Sequence, residues 1–137
     1  MEQTILKRDT IHLIPYYFKP AKSDLIADVL IDLCNSNYIL DKWLPNKKSL
    51  GITGNECSIN KIDNNTLIFK YAEYMDDNEK FIITKKNFIK LVNDWHVAYD
   101  SKKEFVIIKL KDDKNITIIA RDDPGQFASL FNQQAES

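Results

Sequence analysis

The sequence predicts an α+β domain built mostly of antiparallel strands, with two helices packed on one face of a sheet of about five to six strands. Three observations predict it. Short runs rich in β-branched and aromatic residues are separated by polar turns, two longer stretches carry apolar residues at helical spacing, and no glycine-rich strand-to-helix turn occurs. Regular strand–helix alternation, the mark of a doubly wound parallel sheet, is absent from this pattern.

Thr10–Phe18 is the first predicted strand, and Pro15, which lacks a backbone donor, assigns it to a sheet edge or a bend. The Lys19-Pro20-Ala21-Lys22 stretch breaks it. Ser23 then supplies an N-cap, with Asp24 in the first turn of a helix. Leu25, Ile26, Val29, Leu30, Leu33 and Cys34 form its apolar stripe, while Asp24, Asp28 and Asp32 recur four residues apart on a different face. From Trp43 to Asn55 the chain holds two of the three glycines, a proline and two lysines. This reads as a long irregular loop, and loops of that length are uncommon unless functional or mobile.

Cys57–Ile62 and Thr66–Tyr74 form a predicted hairpin around Asp63-Asn64-Asn65, residue types that tolerate tight-turn geometry. A turn at Asp76-Asp77-Asn78 leads to a strand at Lys80–Ile83. Thr84 caps a second helix with Phe88, Leu91, Val92, Trp95 and Ala98 or Tyr99 on one face, ended by Asp100-Ser101-Lys102-Lys103. The last hairpin pairs Phe105–Leu110 with Ile116–Arg121 across the polar turn Lys111–Asn115. Asp122-Asp123-Pro124-Gly125 closes it, Phe127, Leu130 and Phe131 suit a short docking helix, and residues 132–137 read as a frayed tail. The expected element order is β-α-ββ-β-α-ββ, within one domain spanning 1–137.

Composition narrows the function. With 44% hydrophobic and 28% charged residues the chain has an ordinary globular mixture, enough for a core without metal or disulfides. Its 19 basic and 20 acidic residues leave a net charge of −1, which lacks the basic excess that phosphate neutralisation demands of nucleic-acid binders. Met1–Asp9 mixes charges and has no apolar core with a cleavage site, and no apolar run approaches a membrane span. The expectation is a cytoplasmic address, with Cys34 and Cys57 as free thiols and Cys34 in the core.

No catalytic pattern emerges. His12 and His96 stand far apart without H-x-x-x-H or C-x-x-C spacing, no G-x-S-x-G elbow is present, and Gly51-Ile52-Thr53-Gly54-Asn55 leads into a strand rather than a helix. No cofactor or metal is called for. The acidic residues offer more. Asp76, Asp77 and Glu79, then Asp112 with Asp113, then Asp122 with Asp123 fall at strand ends or turns. Turn chemistry alone favours Asp at such places. Together with the Asp24, Asp28 and Asp32 face, they also describe a negative patch for a basic protein partner. Trp43, Tyr71 and Tyr74 are the candidate aromatic anchors of such an interface, and Tyr16 and Tyr17 flank a further strand end.

The stretch from Tyr71 to Ile119 resembles the small immunity proteins of bacterial polymorphic toxin systems, including contact-dependent growth inhibition. The shared texture is a strand, a Thr-capped helix carrying a Phe and a Trp, and a closing hairpin. The resemblance implies a stoichiometric inhibitor that binds a cognate toxin domain, often a nuclease, and needs no cofactor. Acidic side chains would stand where the toxin expects phosphate, or the toxin would be held away from its active site through aromatic and loop contacts. Two other readings stay open from the residues: a small-molecule pocket lined by Trp43, Trp95 and the 43–55 loop, and an enzyme whose groups converge only in the fold.

Overall fold

A computed structural model describes residues 2–9, 12–17, 22–74, 79–112 and 114–123, with the side chains of 15–17 excepted. In chain order the elements are β1 (Glu2–Asp9), β2 (His12–Tyr17), α1 (Lys22–Leu33), a π-helical turn (Ile39–Trp43), β3 (Gly51–Thr53), β4 (Cys57–Asp63), β5 (Thr66–Tyr71), β6 (Lys80–Thr84), α2 (Lys85–Asp100), β7 (Phe105–Lys111) and β8 (Asn115–Arg121). The α+β class holds. The strands, however, form two antiparallel sheets of four, ordered β2-β1-β7-β8 and β3-β4-β5-β6. The helices do not lie on one face of one sheet. α1 packs on β1 and β7 of the first sheet and on β4, β5 and β6 of the second, and α2 touches β8 on one side and β5 and β6 on the other. The helical layer lies between the sheets.

The reason lies in α1 itself. Residues 23–27 are buried without interruption, followed by Val29 and Leu30, so this helix has no solvent face along its first turns. A helix buried all round needs cover on both sides, and one sheet supplies only half of it. The shared core accordingly draws Leu6, Val106 and Ile108 from the first sheet, Ile59, Leu67, Phe69 and Phe81 from the second, and Leu25, Ile26, Leu30, Phe88, Val92 and Trp95 from the helices. Phe69 meets Phe88 edge-on at 5.9 Å between ring centroids, the preferred geometry for aromatic pairs. A separate small cluster of Ile5, Phe105 and Ile107, with Ile119 against it, occupies the other face of the first sheet.

β1 is a strand that the sequence pattern does not announce. It sits inside the first sheet, paired with β2 through Lys7↔Ile14 and with β7 through Thr4↔Ile108 and Ile5↔Ile107. Glu2, Thr4 and Arg8 of this strand are committed to distant partners. Thr4 Oγ1 donates to Asp24 Oδ1 at 2.7 Å and lies 2.9 Å from Ser23 Oγ. α1 begins at Lys22, so Ser23 falls inside its first turn, and the Glu2 carboxylate accepts the Ser23 N–H at 3.2 Å. At the other end of the strand Arg8 donates to Tyr99 O and Lys103 O, both at 3.0 Å, with its guanidinium 5.4 Å from the Tyr99 ring centroid. A cation there complements the carbonyl end of α2.

α2 follows its sequence pattern closely. The Thr84 hydroxyl accepts the Asn87 N–H at 3.2 Å, and Phe88, Leu91, Val92, Trp95 and Ala98 are buried. The β7–β8 hairpin is also as expected, extended by one residue on each strand. The docking helix and tail placed at 124–137 lie outside the described residues, as do Asp76, Asp77 and Asp113. Among the described residues no helix is long and apolar enough to cross a membrane.

Candidate functional site

The three helix carboxylates do not form an outward patch. Asp24 is buried against Thr4, Asp28 Oδ2 accepts the Tyr71 hydroxyl at 2.8 Å, and Asp32 accepts the backbone N–H groups of Asn55, Glu56 and Cys57 at 3.1, 2.9 and 3.2 Å. The i, i+4 spacing was real, but it aims charge at the β3–β4 turn and at β5 rather than at solvent. Tyr71 is consequently a buried core residue and not an anchor. Burial first, and then the Asp28 charge, push its phenol well above the ordinary tyrosine range. Burial likewise pushes both thiols up, reinforced by Asp32 at Cys34 and by Asp28 and Asp32 at Cys57.

Trp43 is also no exposed anchor. It is 2% exposed, and its indole N–H finds no acceptor among the described residues. Its ring instead carries the Lys61 ammonium at 4.4 Å from the centroid. Of Trp43, Tyr71 and Tyr74, only Tyr74 is exposed, at 74%, with its hydroxyl donating to Asn55 O; the side chains of Tyr16 and Tyr17 lie outside the described residues. Glu79 is half-buried just before β6. Asp112 lies at the β7–β8 turn with a left-handed φ of 55°, while Asp122 and Asp123 follow β8 at the opposite end of the hairpin. A seven-residue strand separates them by about 20 Å. Asp122 is 3.9 Å from Lys103 and Asp123 3.6 Å from Arg121, both exposed pairs. The described acids are therefore dispersed, Asp122 and Asp123 each beside a cation, and the single acidic patch expected from the sequence is not assembled from them.

What the fold does assemble is cationic and lies on and beside the second sheet. The 43–55 segment is not an irregular loop throughout: it contains the end of the π-helical turn and β3, which pairs with β4 through Ile52↔Ile59. Between them, the chain wraps around Lys61. Its ammonium donates to Trp43 O at 2.8 Å and to Asn46 O and Ser49 O at 2.7 Å each. Those bonds employ all three of its protons. Burial, and then the neighbouring Lys85 charge, hold Lys61 below the ordinary lysine range.

Beside this clamp opens a cavity of about 470 Å³. Leu44, Pro45, Leu50, Ile62 and Leu67 supply its apolar walls, Lys47, Lys61 and Lys85 its cations, and Asp63, Asn64 and Thr66 its polar turn. The 43–55 segment thus does line a cavity, but neither Trp43 nor Trp95 does. Trp95 donates its indole N–H to Asn35 Oδ1 at 3.3 Å instead.

The outward face of the second sheet is the other exposed feature. Inward-facing Leu67, Phe69, Phe81 and Ile83 are buried, which leaves Thr66, Ile68, Lys70, Lys80, Ile82 and Thr84 on the opposite side. Register sets Ile68 across from Ile82 and Lys70 across from Lys80. Asn60 and Ser58 of β4 continue the same two rows. Ile82 is 60% exposed and Ile62 52%. Sequence reasoning missed this face, although the runs Leu67-Ile68-Phe69 and Phe81-Ile82-Ile83 carried the signal: apolar residues on both phases of a strand. The chain matches no protein-family model, no curated protein and no solved structure.

Proposed function

We propose that this chain is a protein-binding module that neutralises a cognate toxin domain by one-to-one association, as its resemblance to immunity proteins implies, and that it does so through the open face of the second sheet. The observation that supports this is the pairing of Lys70 with Lys80 beside Ile68 and Ile82. Like charges directly opposite on neighbouring strands are unfavourable, and neither lysine has an ion pair among the described residues. A partner presenting carboxylates around an apolar centre would relieve the repulsion and cover the isoleucines. The charge therefore favours an acidic contact surface. For a nuclease toxin this means binding away from its phosphate-recognising groove, since two lysines would be repelled by a basic groove. The proposal includes action in the cytoplasm, in keeping with two unpaired, buried thiols.

The test is a titration of the purified chain, followed by calorimetry, against any toxin-like domain found in the neighbouring reading frames. Lys70→Glu with Lys80→Glu is expected to weaken the complex by about tenfold or more, through association that slows and whose salt dependence reverses in sign. Asp112→Asn, Asp122→Asn and Asp123→Asn together are expected to leave it nearly unchanged. Equal affinity in the lysine variant, or no complex with that domain, would remove this reading.

A further inference from the structure

We infer that the 470 Å³ cavity beside Lys61 is a binding site for an organic anion with an apolar body, of the class of medium-chain carboxylates. Its volume lies within the range of about 300–1,000 Å³ typical of small-ligand sites. Two features specify the ligand. The first is uncompensated charge. Lys47, Lys61 and Lys85 border the cavity against one aspartate, Asp63, whose Oδ1 already accepts the Asn65 N–H at 2.8 Å. None of the three lysines forms an ion pair among the described residues. Lys61 has its protons committed to three carbonyls, so it contributes field, while Lys47 and Lys85 retain donors. The second feature is apolar surface at the mouth. Leu50 is 64% exposed and Ile62 52%, above a floor formed by buried Leu44 and Leu67.

A ligand that satisfied only the lysines would leave Leu50 and Ile62 in water, and one that satisfied only the leucines would leave the charges unpaired. A carboxylate joined to an aliphatic or aryl tail does both. Charge-assisted contacts would fix the head group, and burial of the tail would supply most of the affinity. This site does not depend on the protein-binding proposal, which concerns the open sheet face, and either can fail without the other.

The experiment is an amide-resolved NMR titration of the intact chain with octanoate, and in parallel with octanol and acetate at the same concentrations. Octanoate is expected to give saturable shifts at residues 44–50, 62–67 and 85, with octanol about tenfold weaker at the same amides and acetate leaving them in place. Lys47→Gln combined with Lys85→Gln is expected to weaken octanoate by about tenfold. Leu50→Ser, at an exposed position that does not endanger the fold, is expected to weaken it as well. Absence of saturable shifts there, octanol binding as well as octanoate, or undiminished binding by the double lysine variant would each overturn the assignment.

Discussion

Gly54 lies so close to Asp32 that a Cβ at residue 54 would sit 2.3 Å from Asp32 Oδ2. The same carboxylate accepts three consecutive backbone N–H groups, from Asn55 to Cys57. Glycine is required here for close approach, so that a helix side chain can reach into the β3–β4 turn. Gly54→Ala is expected to push the carboxylate off its amides and cost about 1–3 kcal/mol, read as a lower urea midpoint at unchanged slope. An unchanged midpoint would mean that the turn shifts freely and Asp32 does not hold it.

Lys61→Met keeps much of the side chain's length but removes the cation over the Trp43 ring and the three bonds to the Trp43, Asn46 and Ser49 carbonyls. The expected loss is about 2 kcal/mol, with faster amide hydrogen exchange confined to residues 43–50. If exchange rises across both sheets equally, the lysine supports the whole core rather than the loop.

Stability is expected to be flat from pH 6 to about 8 and to decline above it. Cys34, Cys57 and Tyr71 all have folded-state pKa values raised above their unfolded ones, mainly by burial. Groups of this kind favour the fold fully while the unfolded chain keeps its protons. That contribution falls once pH passes the ordinary thiol value near 8.5, and again past the tyrosine value near 10, as the unfolded state ionises first. Urea midpoints measured from pH 6 to 10.5 check the sign. In the native protein both thiols are expected to be silent to a thiol reagent at pH 8 and to react together on unfolding.

Lys80→Glu is expected to stabilise the free chain by about 0.5 kcal/mol, because it turns the Lys70–Lys80 repulsion into a cross-strand attraction. The same change is expected to weaken the proposed complex. Gain of stability with loss of binding marks a face kept for a partner rather than for the fold. A variant that is less stable and binds normally would show that the lysines serve the sheet.

Local signals were legible and distant ones were not. Thr84 with its stripe from Phe88 to Ala98 could be read directly, because cap and periodicity lie within one helix. The turn at Asp63-Asn64-Asn65 was equally plain, and the Asn65 N–H to Asp63 bond shows why those residues are there. Asp112 at φ 55° has a similar local explanation, which is why a turn aspartate is a weak indicator of an interface. β1 escaped notice because its polar side chains are answered by Ser23, Asp24 and Tyr99, none nearby in sequence. The acids of α1 misled for the same reason: helical spacing says which residues share a face, not whether that face meets water or a row of amides. The cationic cavity needed Lys47, Lys61 and Lys85 from three separate elements, and nothing in their spacing foretells that meeting.

The place of β1 between β2 and β7 sets an order of events on the ribosome. The second sheet comes from one continuous stretch, Gly51 to Thr84, and its hairpins can close as they emerge. The first sheet cannot. Ile5 waits for Ile107, a delay of roughly 5–20 s at ordinary rates of synthesis. Until then the β1–β2 hairpin has an open edge, and α1 is covered on one side only. The late arrival of β7 and β8 is thus the step that seals the molecule, and chaperone capture of nascent chains is expected to end there.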